Sequence, residues 1–495
     1  MKKNIVKSFM ALALSAGLLS SCGNDYLDTD IFDGVDLDGG VSTPNDLKTA
    51  LSGTYYRFFS SSFCGNYAIN IGDVLSDLAY WNGSTGHWDG LYQCNYNTTD
   101  TYLRGIWEYG YKVEDNTARI IQSGEEMLGT VSSDADKKAI NTYLAEAYAL
   151  RGYATLRLVN VYGHQVKVAG KDFGSEKGIV LVDAPIAAFS EVSRATVKEN
   201  YDQCIADLKK SISYFAAAGS DRNSTEEKFY FNAATANAIL ARAYMYLEDW
   251  SNAKAAAQAA LAAAGNPSLV YTPAGFKALW NSNISNTEAF MALAIDASNN
   301  WGANSLGTLW STYSFSPNLD CLALFGENDV RKSVQEFNAQ STPSAPVYMG
   351  GIYGHYSDNN PNFSTCYVAT TSEMYLIIAE AEINLGNENA AKEALLTVAK
   401  RNLDITSTED LPSGADLYKF LKDERGRELF QQGFRFFDIR RWNDPVNLVA
   451  YAQPENKYTY PNFRPGDWVL PIPESEVNSG FGVEQNETWH SSRPQ

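Results

Sequence analysis

The chain has 495 residues and carries 58 acidic side chains against 39 Lys and Arg, a formal net charge of −19. So acidic a balance argues against nucleic acid as a partner and against an electrostatic hold on anionic lipid. An apolar share of 45% supports a large core, as one domain or two intimate halves, and the 30 Tyr and 10 Trp are numerous. A core uses some of them, but these rings also present a flat apolar face and a polar edge to ligands.

The N-terminus has the order of an export signal. Lys2, Lys3 and Lys7 form a basic region, and Phe9-Met10-Ala11-Leu12-Ala13-Leu14 opens an apolar stretch ending near Leu19. A membrane-spanning helix needs about 20 apolar residues, so this stretch is too short to be one. It closes on Leu19-Ser20-Ser21-Cys22, which resembles the lipobox of bacterial lipoproteins. The resemblance implies that residues 1–21 are a signal peptide and that Cys22 is lipidated and becomes the mature N-terminus. The alternative is an ordinary secretory signal that happens to contain a cysteine. Each buried methylene contributes about 0.8 kcal/mol, and stable anchoring takes two acyl signals or more, so a multiply acylated cysteine needs no transmembrane helix. No later segment is apolar enough to be one. Residues 22–40 are polar, Gly-rich and acidic (Asp25, Asp28, Asp30, Asp33, Asp36, Asp38) and read as a tether.

Ser42-Thr43-Pro44-Asn45-Asp46 predicts a helix start, with Leu47, Ala50, Leu51 and Tyr55 on the face that follows. Helical periodicity recurs over about 134–161, 232–264 and 372–402. The last two blocks superpose at an offset of 138. Ala241, Ala243, Leu247, Ala253, Lys254 and Ala256 match Ala379, Ala381, Leu385, Ala391, Lys392 and Ala394. Each is a helix, a short polar break and an alanine-rich helix, a layout similar to tetratricopeptide units embedded in a larger fold. Between the blocks, Gly65–Thr101, Gly163–Arg194 and Ala297–Met349 read as long irregular segments rich in Gly, Asn, Ser, Tyr and Trp. Cys64, Cys94, Cys204, Cys321 and Cys366 are widely spaced, with no CxxC; buried thiols and a disulfide both stay open.

Near the C-terminus stands Glu424-Arg425-Gly426-Arg427-Glu428-Leu429-Phe430-Gln431-Gln432-Gly433-Phe434-Arg435-Phe436-Phe437-Asp438-Ile439-Arg440-Arg441-Trp442. Alone, it predicts a helix stopped by Gly433, a second amphipathic turn, arginine–carboxylate pairs, and a guanidinium on Trp442. As a pattern it resembles the signature of the SusD/RagB family, surface nutrient-binding lipoproteins of Bacteroidetes. Pro471-Ile472-Pro473 with Gln485-Asn486 is similar to that family's closing stretch. Ala145-Glu146-Ala147 leading to Leu158–Gly163, Leu324-Phe325 with Asp329 and Arg331, and Ala379-Glu380-Ala381 match its other landmarks. Gln432 departs from the acid common there, and Ala369-Thr370-Thr371 lacks a common arginine. The resemblance implies a mostly α, SusD-like fold, with an N-terminal half over 41–230 and a C-terminal half over 231–495 forming one globular unit.

No HExxH, GxSxG, P-loop or dinucleotide-binding glycine pattern occurs, and His87, His164, His355 and His490 show no ligand spacing. The sequence therefore predicts neither catalysis nor cofactor nor metal; the arginine-rich signature reads as a network that holds the fold. What the residues can do is bind. A sugar ring has an apolar face rimmed by hydroxyls and suits flat aromatics beside short polar side chains. The run Tyr80–Tyr92 offers Tyr80, Trp81, Asn82, Trp88, Asp89 and Tyr92, and a second region offers Trp301, Asn304, Trp310 and Tyr313. The resemblance raises both, because the family builds its ligand face from loops in these regions. It also implies delivery of captured oligosaccharide to a SusC-like, TonB-dependent transporter in the outer membrane. Capture of peptide by a RagB-type member is the alternative, and a surface glycosidase or a helical-repeat scaffold would belong to other classes.

Overall fold

A computed structural model describes residues 40–218, 222, 227–281, 286–293, 295–337, 340–342, 346–354, 360–449 and 458–495. Cys22, the signal peptide, the acidic tether up to residue 39 and His355 lie outside the described residues.

Helix formation starts where the cap residues predict it. Thr43 Oγ1 accepts from Asp46 N–H and the Asp46 carboxylate accepts from Thr43 N–H, a reciprocal box that satisfies two otherwise orphaned donors. Helix α1 (Pro44–Phe58) precedes α2 (Tyr67–Val74), α3 (Thr101–Leu128), α4 (Asp134–Tyr162) and α5 (Val197–Ala218). The helices α1, α3, α4 and α5 pack side to side, and α4 is buried almost without interruption from Ile140 to Tyr162.

Then come α6 (Ala233–Tyr246) and α7 (Trp250–Ala263), followed by α8 (Thr371–Asn384) and α9 (Glu388–Ala399). The offset of 138 read from the alanine pattern carries the limits of α6 onto those of α8 and the start of α7 onto that of α9. Each pair forms a helical hairpin, and α7 packs on α8, so the two hairpins stack. Both turn through a left-handed residue at the same relative position. Gly386 takes φ +80° freely, whereas Glu248 takes φ +55° against its Cβ. The signature forms α10 (Ala415–Leu429) and α11 (Arg435–Trp442).

Two helices were hidden in the sequence. α3 is 28 residues long and contains Gly105, Gly110 and Gly124, a residue type that costs about 1 kcal/mol inside a helix. They are points of close approach: a Cβ at Gly110 would lie 2.7 Å from Leu158 Cδ2, and one at Gly124 2.7 Å from Leu144 Cδ2. α5 was also missed. Of the segments expected to be irregular, 65–101 contains α2 and strand β1 (Ala79–Trp81). Around 297–349, β2 (Ala289–Ala292) precedes a turn of α-helix, a π-helix over Leu309–Tyr313 and β3 (Phe315–Pro317). Sheets among the described residues are two-stranded: β1 pairs antiparallel with β3, and β2 with β4 (Tyr367–Thr370). The main hydrophobic core runs from Leu47 through the helix series to Val483, and a smaller cluster gathers around Phe276, Trp280 and Tyr367; the cysteines belong to the main core. Cys64, Cys94, Cys204, Cys321 and Cys366 are all free thiols inside it, where burial pushes Cys64 and Cys94 up to about 12. Among the described residues no helix is long and apolar enough to cross a membrane.

Candidate ligand-binding face

Strand pairing brings the two aromatic regions together. Tyr80 lies opposite Ser316 and Trp81 opposite Phe315 across β1 and β3. The ladder continues past the strands, with Asn82 N–H donating to Ser314 O at 2.9 Å. Beyond it, the Ser84 hydroxyl donates to Tyr313 O, and the Thr85 and Ser314 hydroxyls share a hydrogen bond of 2.6 Å. Asn82 Nδ2 reaches Val347 O at 2.7 Å, and Met349 N–H donates to Trp310 O at 3.0 Å. Loop 82–88, the π-helix and residues 347–349 thus form one surface. π-Helical turns occur often at functional sites.

The tryptophans are not on that surface. Trp88 is 1% exposed, Trp81 4% and Trp310 0%, and Tyr80 and Tyr92 are buried as well. Trp88 stacks on Tyr102 at 4.1 Å with Tyr67 edge-on, and Trp310 donates from Nε1 to Asn70 Oδ1 at 3.2 Å against Phe315 and Phe430. The expectation that these rings stack on sugar therefore gives way to a core role, because each ring already has protein packed against it. Trp301 is half-buried over the 60–66 turn, where a Cβ on Gly65 would meet its Nε1 at 2.5 Å; Asn304 is exposed, and its carbonyl accepts from Asn66 Nδ2 at 2.7 Å.

What the surface does present is a pair absent from the aromatic candidates as a pair. His87 and Tyr313 stack at 5.1 Å with their planes 13° apart, both half-exposed. Tyr102 Oη lies 3.4 Å from His87 Nδ1. Around this stack are Asn82, Ser84, Thr85 and Asp89, all partly or fully exposed. His87 had no signal in the sequence: its partner is 226 residues away, and a lone histidine in a Gly-rich loop carries no spacing. His164 instead stacks on Phe173 and is held below its ordinary range, first by burial and then by Arg440.

The arginine network is buried in the core. Arg441 forks onto Glu380 at 2.6 and 2.7 Å and bonds Asp438 at 2.9 Å, while Arg425 holds Asp438 at 2.8 and 3.0 Å. Trp442 donates from Nε1 to Glu380 and receives the Arg441 guanidinium on its ring at 4.6 Å. Burial alone would raise the Glu380 carboxyl, but Arg441 and Trp442 hold it at about 2, with Arg425 adding to the field. Arg331 binds Asp329, Glu424 and Glu428, and Arg427 binds Glu424 at 2.7 Å; against burial, these two arginines hold Glu424 at about 2. Beside Arg331, Phe430 and Gln431 is a cavity of about 30 Å³, room for roughly one water and not for a sugar ring. No group of three or more His, Cys, Asp or Glu that could hold a metal is found among the described residues.

The signature also reaches the N-terminal helices. Asp73 accepts from Gly433 N–H at 2.8 Å and Gln431 N–H at 3.2 Å. Arg440 donates to Asn160 O at 2.7 Å and Gly163 O at 2.9 Å, satisfying carbonyls at the C-terminus of α4. Asn486 Nδ2 donates to Tyr162 O and Leu470 O.

A mostly helical molecule with stacked hairpins, a buried arginine signature and an irregular aromatic face defines a fold class shared by known structures. A SusD superfamily protein from Bacteroides thetaiotaomicron is 22% identical over 90% of this chain and 99% of its own, with a TM-score of 0.78. A putative sugar binding protein from Bacteroides vulgatus is 23% identical over 91% and 99%, with a TM-score of 0.79. A SusD-like carbohydrate binding protein from Bacteroides vulgatus is 20% identical over 83% and 86%, with a TM-score of 0.68. Among curated proteins none matches significantly. Residues 353–489 match the SusD family, and residues 62–245 match a related family described as starch-binding and associating with the outer membrane. The chain belongs to the SusD/RagB family.

Proposed function

We propose that this protein is a lipid-anchored surface protein that captures oligosaccharide on the face built from loop 82–88, the π-helix and residues 347–349. The observation that carries the reading is the half-exposed His87–Tyr313 stack, ringed by Asn82, Ser84, Thr85 and Asp89. Stacked rings offer an apolar platform to a sugar face, and short amides, hydroxyls and a carboxylate can meet its rim. The match to a starch-binding family and the likeness to a putative sugar binding protein and a carbohydrate binding protein point the same way. The ligand is held without being transformed and passes to a SusC-like, TonB-dependent transporter, with Cys22 as the lipid attachment in the outer membrane. Family membership and the Leu19–Cys22 sequence support these last two assignments.

The test is a glycan array followed by calorimetry on wild type, Tyr313→Ala and His87→Ala. Binding that falls in both variants, with the glycan recovered intact by mass, supports the reading. Binding unchanged in both moves the ligand elsewhere, and a shortened glycan would make the protein an enzyme.

A further inference from the structure

We propose that this face selects neutral glycans and rejects anionic ones such as uronate or sulfated oligosaccharides, an inference that rests on glycan capture at this face. It comes from where the cations are. Residues 58–103, 278–330 and 333–391 contain neither Lys nor Arg. These three runs supply loop 82–88, the π-helix over Leu309–Tyr313 and residues 347–349, which are the elements of the face.

The cations that border the runs do not supply the deficit. Arg331 is buried and neutralised by Asp329, Glu424 and Glu428, and Lys277 pairs with Glu336. Arg435, just below β1, is held by Asp77 at 2.7 and 2.8 Å, and Arg427 by Glu424. Lys392 lies on α9, within 3.6 Å of Glu388. Arg57, Arg104 and Lys332 are exposed at the ends of the runs; Arg57 lies in the last turn of α1, and Arg104 stands two positions from Tyr102, a spacing that turns it to another side of α3. Asp89 and Asp320 are half-exposed carboxylates of the same runs.

Four backbone donors of the loop are already taken. In the loop, Asn82 N–H is donated to Ser314 O, Ser84 N–H to Asn82 Oδ1, His87 N–H to Thr85 Oγ1 and Trp88 N–H to Tyr102 Oη. Recognition of carboxylate or sulfate normally uses an arginine fork, a lysine or free N–H groups at a helix start. An anionic sugar placed here would shed its hydration without an ion pair and approach a molecule of net charge −19. A neutral sugar meets neither penalty.

The experiment is calorimetry of the purified full-length protein, at low and high salt, against two panels of equal chain length. One holds neutral oligosaccharides (glucans, mannans, xylans); the other holds oligogalacturonate, alginate and chondroitin sulfate fragments. The expected result is that the best neutral glycan binds at least about tenfold tighter than any anionic one. That affinity should change little with salt and fall in Tyr313→Ala. An anionic glycan binding as tightly, and still dependent on Tyr313, overturns the neutral class while leaving glycan capture at this face intact. No binding from either panel, or binding indifferent to both Tyr313→Ala and His87→Ala, overturns the capture reading and the class with it.

Discussion

Trp88 and Tyr313, both aromatic candidates in the sequence, are far apart in energetics. Trp88 is enclosed by Tyr67 and Tyr102, so Trp88→Ala leaves a cavity and is expected to cost about 3–5 kcal/mol. Tyr313 is half-exposed and packs on His87, so Tyr313→Ala should cost about 1 kcal/mol or less in stability. If the stack is a ligand hot spot, the same change should weaken glycan binding by about 2 kcal/mol, roughly thirtyfold. A thermal melt and a titration on both variants separate these outcomes. The sequence could not make the distinction. Gly-rich surroundings gave Trp81, Trp88 and Trp310 the look of loop rings, yet strand pairing and α2 bury them, and His87 became visible only once β1 met β3. Another single residue sets a pH response: Glu114 is fully enclosed, accepts from Thr155, and burial pushes it up to about 8. Its carboxyl ionises more readily in the unfolded chain, so its contribution to stability is present below about pH 4.5 and is lost as pH rises through 8. Glu114→Gln should remove that loss, gaining on the order of 3 kcal/mol at pH 9 and little at pH 5 in denaturant melts.

At the scale of elements, the decisive contact is between α2 and the turn joining α10 to α11. A Cβ on Gly72 would lie 2.2 Å from Gly433 O, and one on Gly433, at φ +78°, 2.4 Å from Ile69 O. Two backbones meet here, and neither can yield as a side-chain tip would. Gly72→Ala and Gly433→Ala should each destabilise by about 3 kcal/mol or more, or prevent soluble expression. In the ion-pair network, Asp438→Ala strips a partner from both Arg425 and Arg441 and should cost about 3–5 kcal/mol. Arg427→Ala should cost less, because Glu424 keeps Arg331 and the Arg427 side chain is already 11% exposed. Unchanged melting in Asp438→Ala with altered ligand binding would instead make the network part of the site. The hairpins α6–α7 and α8–α9 were legible because alanines repeat where helices touch. Helix α3 was not, because its glycines serve a neighbour that only the folded molecule supplies.

For the whole molecule, membrane retention should depend on one atom. Cys22→Ala is expected to give a folded protein that takes up no palmitate on metabolic labelling; labelling equal to wild type would place lipid elsewhere. A different consequence follows from the contacts of Asp73 with Gly433 and of Arg440 and Asn486 with the end of α4, which join residues roughly 280 to 360 positions apart in sequence. Synthesis runs from the N-terminus, so for most of that time the Asp73 carboxylate of α2 lacks the N–H donors of the signature, and α4 lacks the groups that satisfy its last carbonyls. Contacts of such separation slow folding, since loop-closure entropy must be met before they form. The last 63 residues, from Gly433 to Gln495, therefore act as a latch on the order of assembly. Until they arrive the chain holds its helices without its final closure, and a protein truncated before Gly433 should remain open to proteases however long it is given to fold.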